Sequence, residues 1–202
     1  MIPRHLIIGI IGVAVLLAIT FGMSVYVWQM RGRVDRVKAP PTSTQPVAPP
    51  VSGSTEQVTL YVAYDDAGFL RPKVARIPLP VGRQERATEL LRALLTLYED
   101  KISPHPLPAG SEIRDVYLVD PGLAVIDVNA AFADSHRSGV LVEELTVVSL
   151  VETLSANVPG ITRVKILVEG RERDTLAGHV DLSNFYDVPA VTSVVAQLQN
   201  AQ

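Results

Sequence analysis

Apolar residues follow three patterns along this chain: helical, alternating and continuous. Val140, Val147, Leu150, Val151, Leu154 and Val158 recur at helical spacing and predict one long helix with an inward face. Pro159-Gly160 ends it, since proline cannot continue the ladder and glycine accepts a left-handed exit. Val164, Ile166 and Val168 then alternate with Lys165, Leu167 and Glu169, which predicts a strand with the second set facing outward. Gly170 closes that strand, and Gly178-His179-Val180-Asp181-Leu182 predicts a short returning one. Upstream, Val58, Leu60, Val62 and Tyr64 alternate as a half-buried strand. Asp65-Asp66-Ala67-Gly68 is turn chemistry, and the extended run from Leu70 to Leu79 is assigned to a sheet edge by Pro78 and Pro80. Ala87, Leu90, Leu91, Leu94, Leu95 and Tyr98 form a second helical stripe. Two strands, 112–119 and 123–129, flank Asp120-Pro121-Gly122, where proline suits the first central turn position and glycine the positive φ of the second. Residues 133–139 read as a polar loop. Val191, Val194, Val195 and Leu198 suggest a short C-terminal helix.

The order β-β-α-β-β-α-β-β predicts an α+β fold, a mostly antiparallel or mixed sheet with two helices packed on one face. The continuous pattern is the uncharged run from Leu6 to Met30, long enough to cross a hydrocarbon core of about 30 Å. Tyr26 and Trp28 suit the interface. As a cleaved signal peptide it is over-long, and only a poor Gly22-x-Ser24 site follows. Residues 39–55 are uncharged and rich in Pro, Ser and Thr, a semi-rigid spacer reaching about 50 Å when extended. The expected organisation is a short tail at 1–5, a single transmembrane anchor at 6–30, a basic then Pro-rich linker at 31–55, one domain at 56–187 and a C-terminal tail at 188–202.

Composition narrows the function classes. The chain has no cysteine, which removes thiolate chemistry, disulfides and cysteine metal sites. Five basic residues against one aspartate give +4 up to residue 40, so an overall charge of −3 leaves −7 on the remainder. An acidic domain is a poor match to phosphate backbones, and no nucleic-acid partner is expected. Arg31, Arg33, Arg36 and Lys38 after the span, against Arg4 before it, would by the positive-inside rule leave the domain in the cytoplasm.

Chemistry-bearing residues are scattered. Asp127 sits in an apolar strand and reads as a structural carboxylate accepting backbone N–H bonds. His105, His136 and His179 lack zinc-binding spacing, and His179 reads as a packed strand histidine. No serine has nucleophile-elbow context, no loop cradles phosphate, and no cofactor or metal is expected. Glu143, Glu144 and Glu152 read as solvated or boundary charges of the long helix. Beside its main stripe that helix carries Leu141, Leu145 and Val148, leaving Thr146, Ser149 and Thr153 as a small hydroxyl face; so wide an apolar surface reads first as a well-buried helix, with a candidate contact surface at those three apolar residues as the alternative.

Gly122 with Val125-x-Asp127, then Glu144, then Ser149-Leu-Val-x-Thr153-Leu154, resemble the second half of the GerMN (sporulation and germination) domain. The likeness continues through Val164-x-Ile-Leu-Val-x-Gly170 and Thr175-Leu-Ala-Gly178-His179-Val-Asp181-Leu182. Leu60-Tyr61-Val62, the helix at 87–98 and Pro108-Ala-Gly-Ser111 precede them in the expected order. One departure is the first helix, which the family closes with a Gly-Pro turn and which here runs on from Thr96 to Ile102. The resemblance implies a non-enzymatic module outside the cytoplasmic membrane, carried on a lipoprotein or anchored chain and linked in spore formers to envelope assembly. It implies structural roles for Gly122, Asp127, Glu144, Ser149, Thr153, Leu154, Gly170, Gly178, His179 and Asp181. On that implication the domain is expected outside the membrane despite the arginines, with envelope proteins or further copies of itself as partners. The alternatives are a peptidoglycan-acting hydrolase using Asp127 and a glutamate, or Asp181 and His179, and a small-molecule or glycan-binding domain.

Overall fold

The computed structural model describes residues 54–78, 82–100 and 102–200, all in the second of two compact units, Ser52–Gln202. The expected anchor and nearly all of the linker lie outside the described residues. Among those described, no helix is long and apolar enough to cross a membrane.

Strands β1 (Thr55–Tyr64) and β2 (Phe69–Pro78) form an antiparallel hairpin registered from Thr55↔Pro78 to Tyr64↔Phe69. Gly68, at φ 70°, makes the turn that alternation placed there. Helix α1 (Arg83–Tyr98) follows and buries Leu90, Leu91, Leu94, Leu95 and Tyr98. It stops at Tyr98 without a Gly-Pro turn: the Glu99 amide donates to Leu95 O at 3.0 Å, and Leu107 N returns to Tyr98 O at 3.2 Å. Strands β3 (Ile113–Val119), β4 (Leu123–Val128), β5 (Arg163–Val168) and β6 (Tyr186–Asp187) make a second sheet in that order. β4 and β5 pair in parallel, which requires a crossover. That crossover contains α2 (Ala130–Asp134) and α3 (Val140–Asn157). Helix α4 (Val188–Asn200) ends the description.

The single sheet expected from the sequence is two. The edge of β1 away from β2 meets helix side chains instead of a strand: Asn157 Oδ1 accepts from Thr59 N at 3.1 Å and Asn157 Nδ2 donates to Thr59 O at 2.7 Å. Thr153 Oγ1 accepts from Tyr61 N, and the Tyr98 hydroxyl from Ala63 N, both at 2.9 Å. An edge satisfied this way needs no further strand. The residues of α3 from Leu145 to Leu154 are all buried, so α3 is the axis of the core. Val140 departs from the expected inward stripe and is 62% exposed, because α3 enters at the surface.

Four further expectations change. The polar loop at 133–139 begins inside α2, whose Phe132 and Ala133 are buried and whose N-cap Asn129 accepts from Phe132 N at 3.0 Å. Lys165 turns into a buried site instead of solvent, because the segment after β5 folds over it and supplies Leu182 O at 3.0 Å and Ser183 O at 2.5 Å. Residues 178–182 are not a strand, apart from an isolated bridge between Thr175 and Asp181, since their amides turn toward α3. Residues 188–200 pack as α4 on α3 and β2 and are part of the globular unit.

Candidate functional site

Polar side chains on a helix buried all round must find partners, and those of α3 find them on each neighbouring element. Glu143, at the first turn, is fully buried. The amides of Ala177, His179 and Val180 converge on its Oε2 at 3.0 Å each, Gly139 N reaches Oε1 at 3.1 Å, and His179 Nδ1 meets Oε1 at 2.8 Å. Burial pushes this carboxyl up, but the Val180 amide, the His179 imidazole and the Gly139 and Ala177 amides outweigh it and hold the pKa at about 2. Successive amides aimed at one point form an anion nest, and Gly178 permits it with φ 116°. The stretch Thr175-Leu-Ala-Gly-His-Val-Asp-Leu182 is thus a receptor for Glu143. A solvated charge was expected there, and a sequence cannot show which amides will converge on a side chain.

One turn on, the hydroxyl face proves to be a set of clips. Thr146 Oγ1 stands 2.7 Å from His105 Nε2, 2.8 Å from His136 Nε2 and 3.0 Å from Val142 O. A single hydroxyl proton cannot serve all three, so at least one imidazole donates to it. His105 Nδ1 meets Asp65 Oδ1 at 2.5 Å, Arg137 pairs with the other Asp65 oxygen, and His136 Nδ1 faces Arg137 O at 2.8 Å. Burial draws the His136 pKa below the ordinary range, with the Arg137 carbonyl acting against it. Asp65, whose burial acts upward, is nonetheless held low by its hydrogen bonds and charge pairing with His105 and Arg137. The order Asp65–His105–Thr146 repeats the carboxylate–imidazole–hydroxyl sequence of a hydrolytic triad. Here, however, His105 and Thr146 are 0% and 1% exposed and sit within the core.

The residues singled out from sequence divide among four places. Gly122, at φ 76°, lies where β4 begins, with its carbonyl accepting from Thr162 N and Arg163 N at 2.7 and 3.1 Å. Asp127 and Gly170 come together: Gly170 N donates to Asp127 Oδ1 at 2.7 Å, while Arg114 Nε approaches Oδ2 at 3.4 Å and the same guanidinium holds Glu169. Ser149, Thr153 and Leu154 are in the core on α3, Ser149 donating to Thr146 O at 2.8 Å. Glu144, Val148 and Asp181 meet at a groove. Of the two hydrolase pairings, Asp127 meets a glutamate, Glu169, only across the shared Arg114 guanidinium, and Asp181 and His179 take separate partners. Asp181 accepts from Ser183 and Asn184 while His179 turns to Glu143. Leu145 is fully buried, so it is core and cannot belong to a contact surface; Leu141 is 42% exposed. Among the described residues no cluster of three or more His, Asp or Glu could hold a metal ion.

The groove lies between α3, the 180–187 segment and α4 and has a volume of about 560 Å³. Val147, Val148, Val180, Val191 and Val194 line it, with Glu144, Asp181 and Asp187 among them. Sequence reasoning read the valines of α4 as a short helix in a C-terminal tail and missed that it packs beside α3.

Comparison with known proteins follows the same lines. No curated protein matches the chain. A candidate lipoprotein from Clostridium perfringens is 19% identical with a TM-score of 0.44, covering 70% of this chain and 93% of that one. The tandem GerMN domains of the sporulation protein GerM from Bacillus subtilis are 20% identical with a TM-score of 0.49, covering 66% of this chain and 46% of that one. The first GerMN domain of the same protein is 20% identical with a TM-score of 0.46, covering 65% and 97%. The family model Germane, described as "Sporulation and spore germination", matches residues 59–174, from β1 through the crossover helices and β5 to the edge of the Glu143 receptor segment, which begins at Thr175. That match spans more than half of the sequence, and the chain belongs to the Germane, GerMN-like family.

Proposed function

We propose that this protein is a membrane-tethered docking module of the cell envelope, without catalytic activity, anchored by Leu6–Met30 and held outside the membrane by the Pro-rich spacer. The observation that carries the reading is how polarity is distributed. Glu143, His105 and His136 around α3 are committed to amides and hydroxyls in the interior, and the exposed His179 to Glu143, whereas the α3–α4 groove is apolar and open. A general base needs a reacting proton within reach, and an interaction site needs accessible apolar surface. The first condition is unmet at His105 and Thr146, and the second is met at the α3–α4 groove. Envelope proteins or further copies of the chain are the expected class of partner.

Two measurements test this. Incubating the chain with purified peptidoglycan is expected to release nothing; release that disappears with Glu143→Gln or His179→Ala would make the protein a hydrolase. Alkaline phosphatase fused to the C-terminus is expected to be active, and an inactive fusion would place the domain on the cytoplasmic side.

A further inference from the structure

We propose that the α3–α4 groove receives a cationic amphipathic helix of a partner protein, its apolar side chains on Val147, Val148, Val191 and Val194 and its basic residues toward Glu144, Asp181 and Asp187. The proposal rests on the docking reading above and adds the chemistry of the occupant.

Two helices supply the walls, so the concavity is the furrow into which a third helix packs its ridge. Val140 and Phe185 line it yet remain 62% and 53% exposed, so the apolar surface continues beyond the concavity. A small ligand would leave that extension wet, whereas a helix covers it. Charge selects the sign of the partner. Among the described residues, no salt bridge involves Glu144, Asp181 or Asp187. Asp181 and Asp187 accept hydrogen bonds from neutral donors, Ser183, Asn184 and Ala190. The Tyr186 hydroxyl between them is shifted upward by burial first and then by Asp181 and Glu144, as a negative local potential requires. Two cations stand near, with Arg163 and Lys165 at 5.4 and 5.6 Å from the Phe185 ring centroid. Lys165 is held by two carbonyls and Glu172, so of these two cations Arg163 is the one left to oppose the three carboxylates.

The absence of native cysteine gives a local readout. A ¹⁹F tag on Ala190→Cys, in the groove wall, is observed in the full chain embedded in phosphatidylcholine nanodiscs, where peptide taken up by lipid leaves it unchanged. The probes are an amphipathic peptide of about 15 residues made of leucine and lysine, its leucine–glutamate counterpart, and the neutral dye N-phenyl-1-naphthylamine. The lysine peptide is expected to shift the resonance saturably and to bind about tenfold more tightly than the glutamate peptide. Glu144→Lys, at a side chain with no hydrogen-bonded partner among the described residues, leaves two carboxylates against two cations and should remove that preference, and Val194→Lys should abolish both signals. Equal affinities in the parent, or a lysine-peptide affinity unchanged by Glu144→Lys, would overturn the proposal. A glutamate peptide that binds more tightly, and loses its signal with Val194→Lys, would overturn the cationic occupant and leave the docking reading standing. A response to the dye alone would make the groove a small-molecule site and overturn both.

Discussion

At the scale of single residues, Glu143 is the most constrained side chain in the domain. Its carboxylate gathers four amides and an imidazole from two segments, and hydrogen bonds to a charged group contribute about 1.5–3 kcal/mol each in favourable cases, without adding simply. Glu143→Gln keeps the shape and turns an N–H toward incoming N–H groups, so a loss of about 3 kcal/mol is expected in urea unfolding. The folded pKa is depressed from 4.5 to about 2. Its stabilisation is therefore complete above the unfolded value and disappears as pH falls from 4.5 through about 2. The glutamine variant should lack that acid limb. His136 is also depressed, in this case by burial. The unfolded chain takes up this proton first, so the fold loses stability as pH drops below about 6.5. Compared with His136→Gln, the parent should lose stability between about pH 7 and pH 5, measured by thermal unfolding across that range. A parent curve parallel to the variant would contradict the assignment.

Between elements, α3 does for β1 what a neighbouring strand would otherwise do. Asn157 bonds both Thr59 N and Thr59 O, so Asn157→Ala should cost about 1–2 kcal/mol and speed hydrogen exchange at Thr59 before the rest of β1. Gly122 fixes the start of β4 against the start of β5. A Cβ there would lie 2.6 Å from Thr162 Oγ1 and 2.8 Å from Gly160 O, at φ 76°. Gly122→Ala should cost about 2 kcal/mol or more, and adding Thr162→Ala should recover only part of it, since the Gly160 carbonyl cannot move aside as a side chain can. Alternation and helical spacing made most of these elements legible: both strands of the hairpin, α1, β3 to β5 and the body of α3. Periodicity reports which face is apolar, and the wide apolar surface of α3 pointed to a well-buried helix, but nothing in it stated what the hydroxyl strip would meet there. Lys165 and Glu143 were misplaced for a related reason. A charge reads as exposed until the carbonyls or amides that meet it are known, and these come from the irregular segment at 171–185, where periodicity carries no information.

Across the whole molecule, the family was readable because its signature marks the places where elements are tied together: the Gly122 corner, the Asp127–Gly170 contact, the Thr153 clip and the Glu143 receptor. The groove was not readable, since it requires α4 to fold back beside α3, and no local pattern states which surface a terminal helix will cover. The central claim is that α3 uses its polar residues for architecture and, with α4, offers an apolar groove for docking. In-cell photo-crosslinking from a benzoylphenylalanine at Val140, on the open lip of that groove, tests it most directly. The account predicts a discrete protein adduct from Val140 that disappears when Val194→Lys fills the groove with charge. An adduct indifferent to Val194→Lys, or none at Val140 while a probe at Tyr117 on β3, the opposite edge of the sheet from β6, captures a partner, would contradict it.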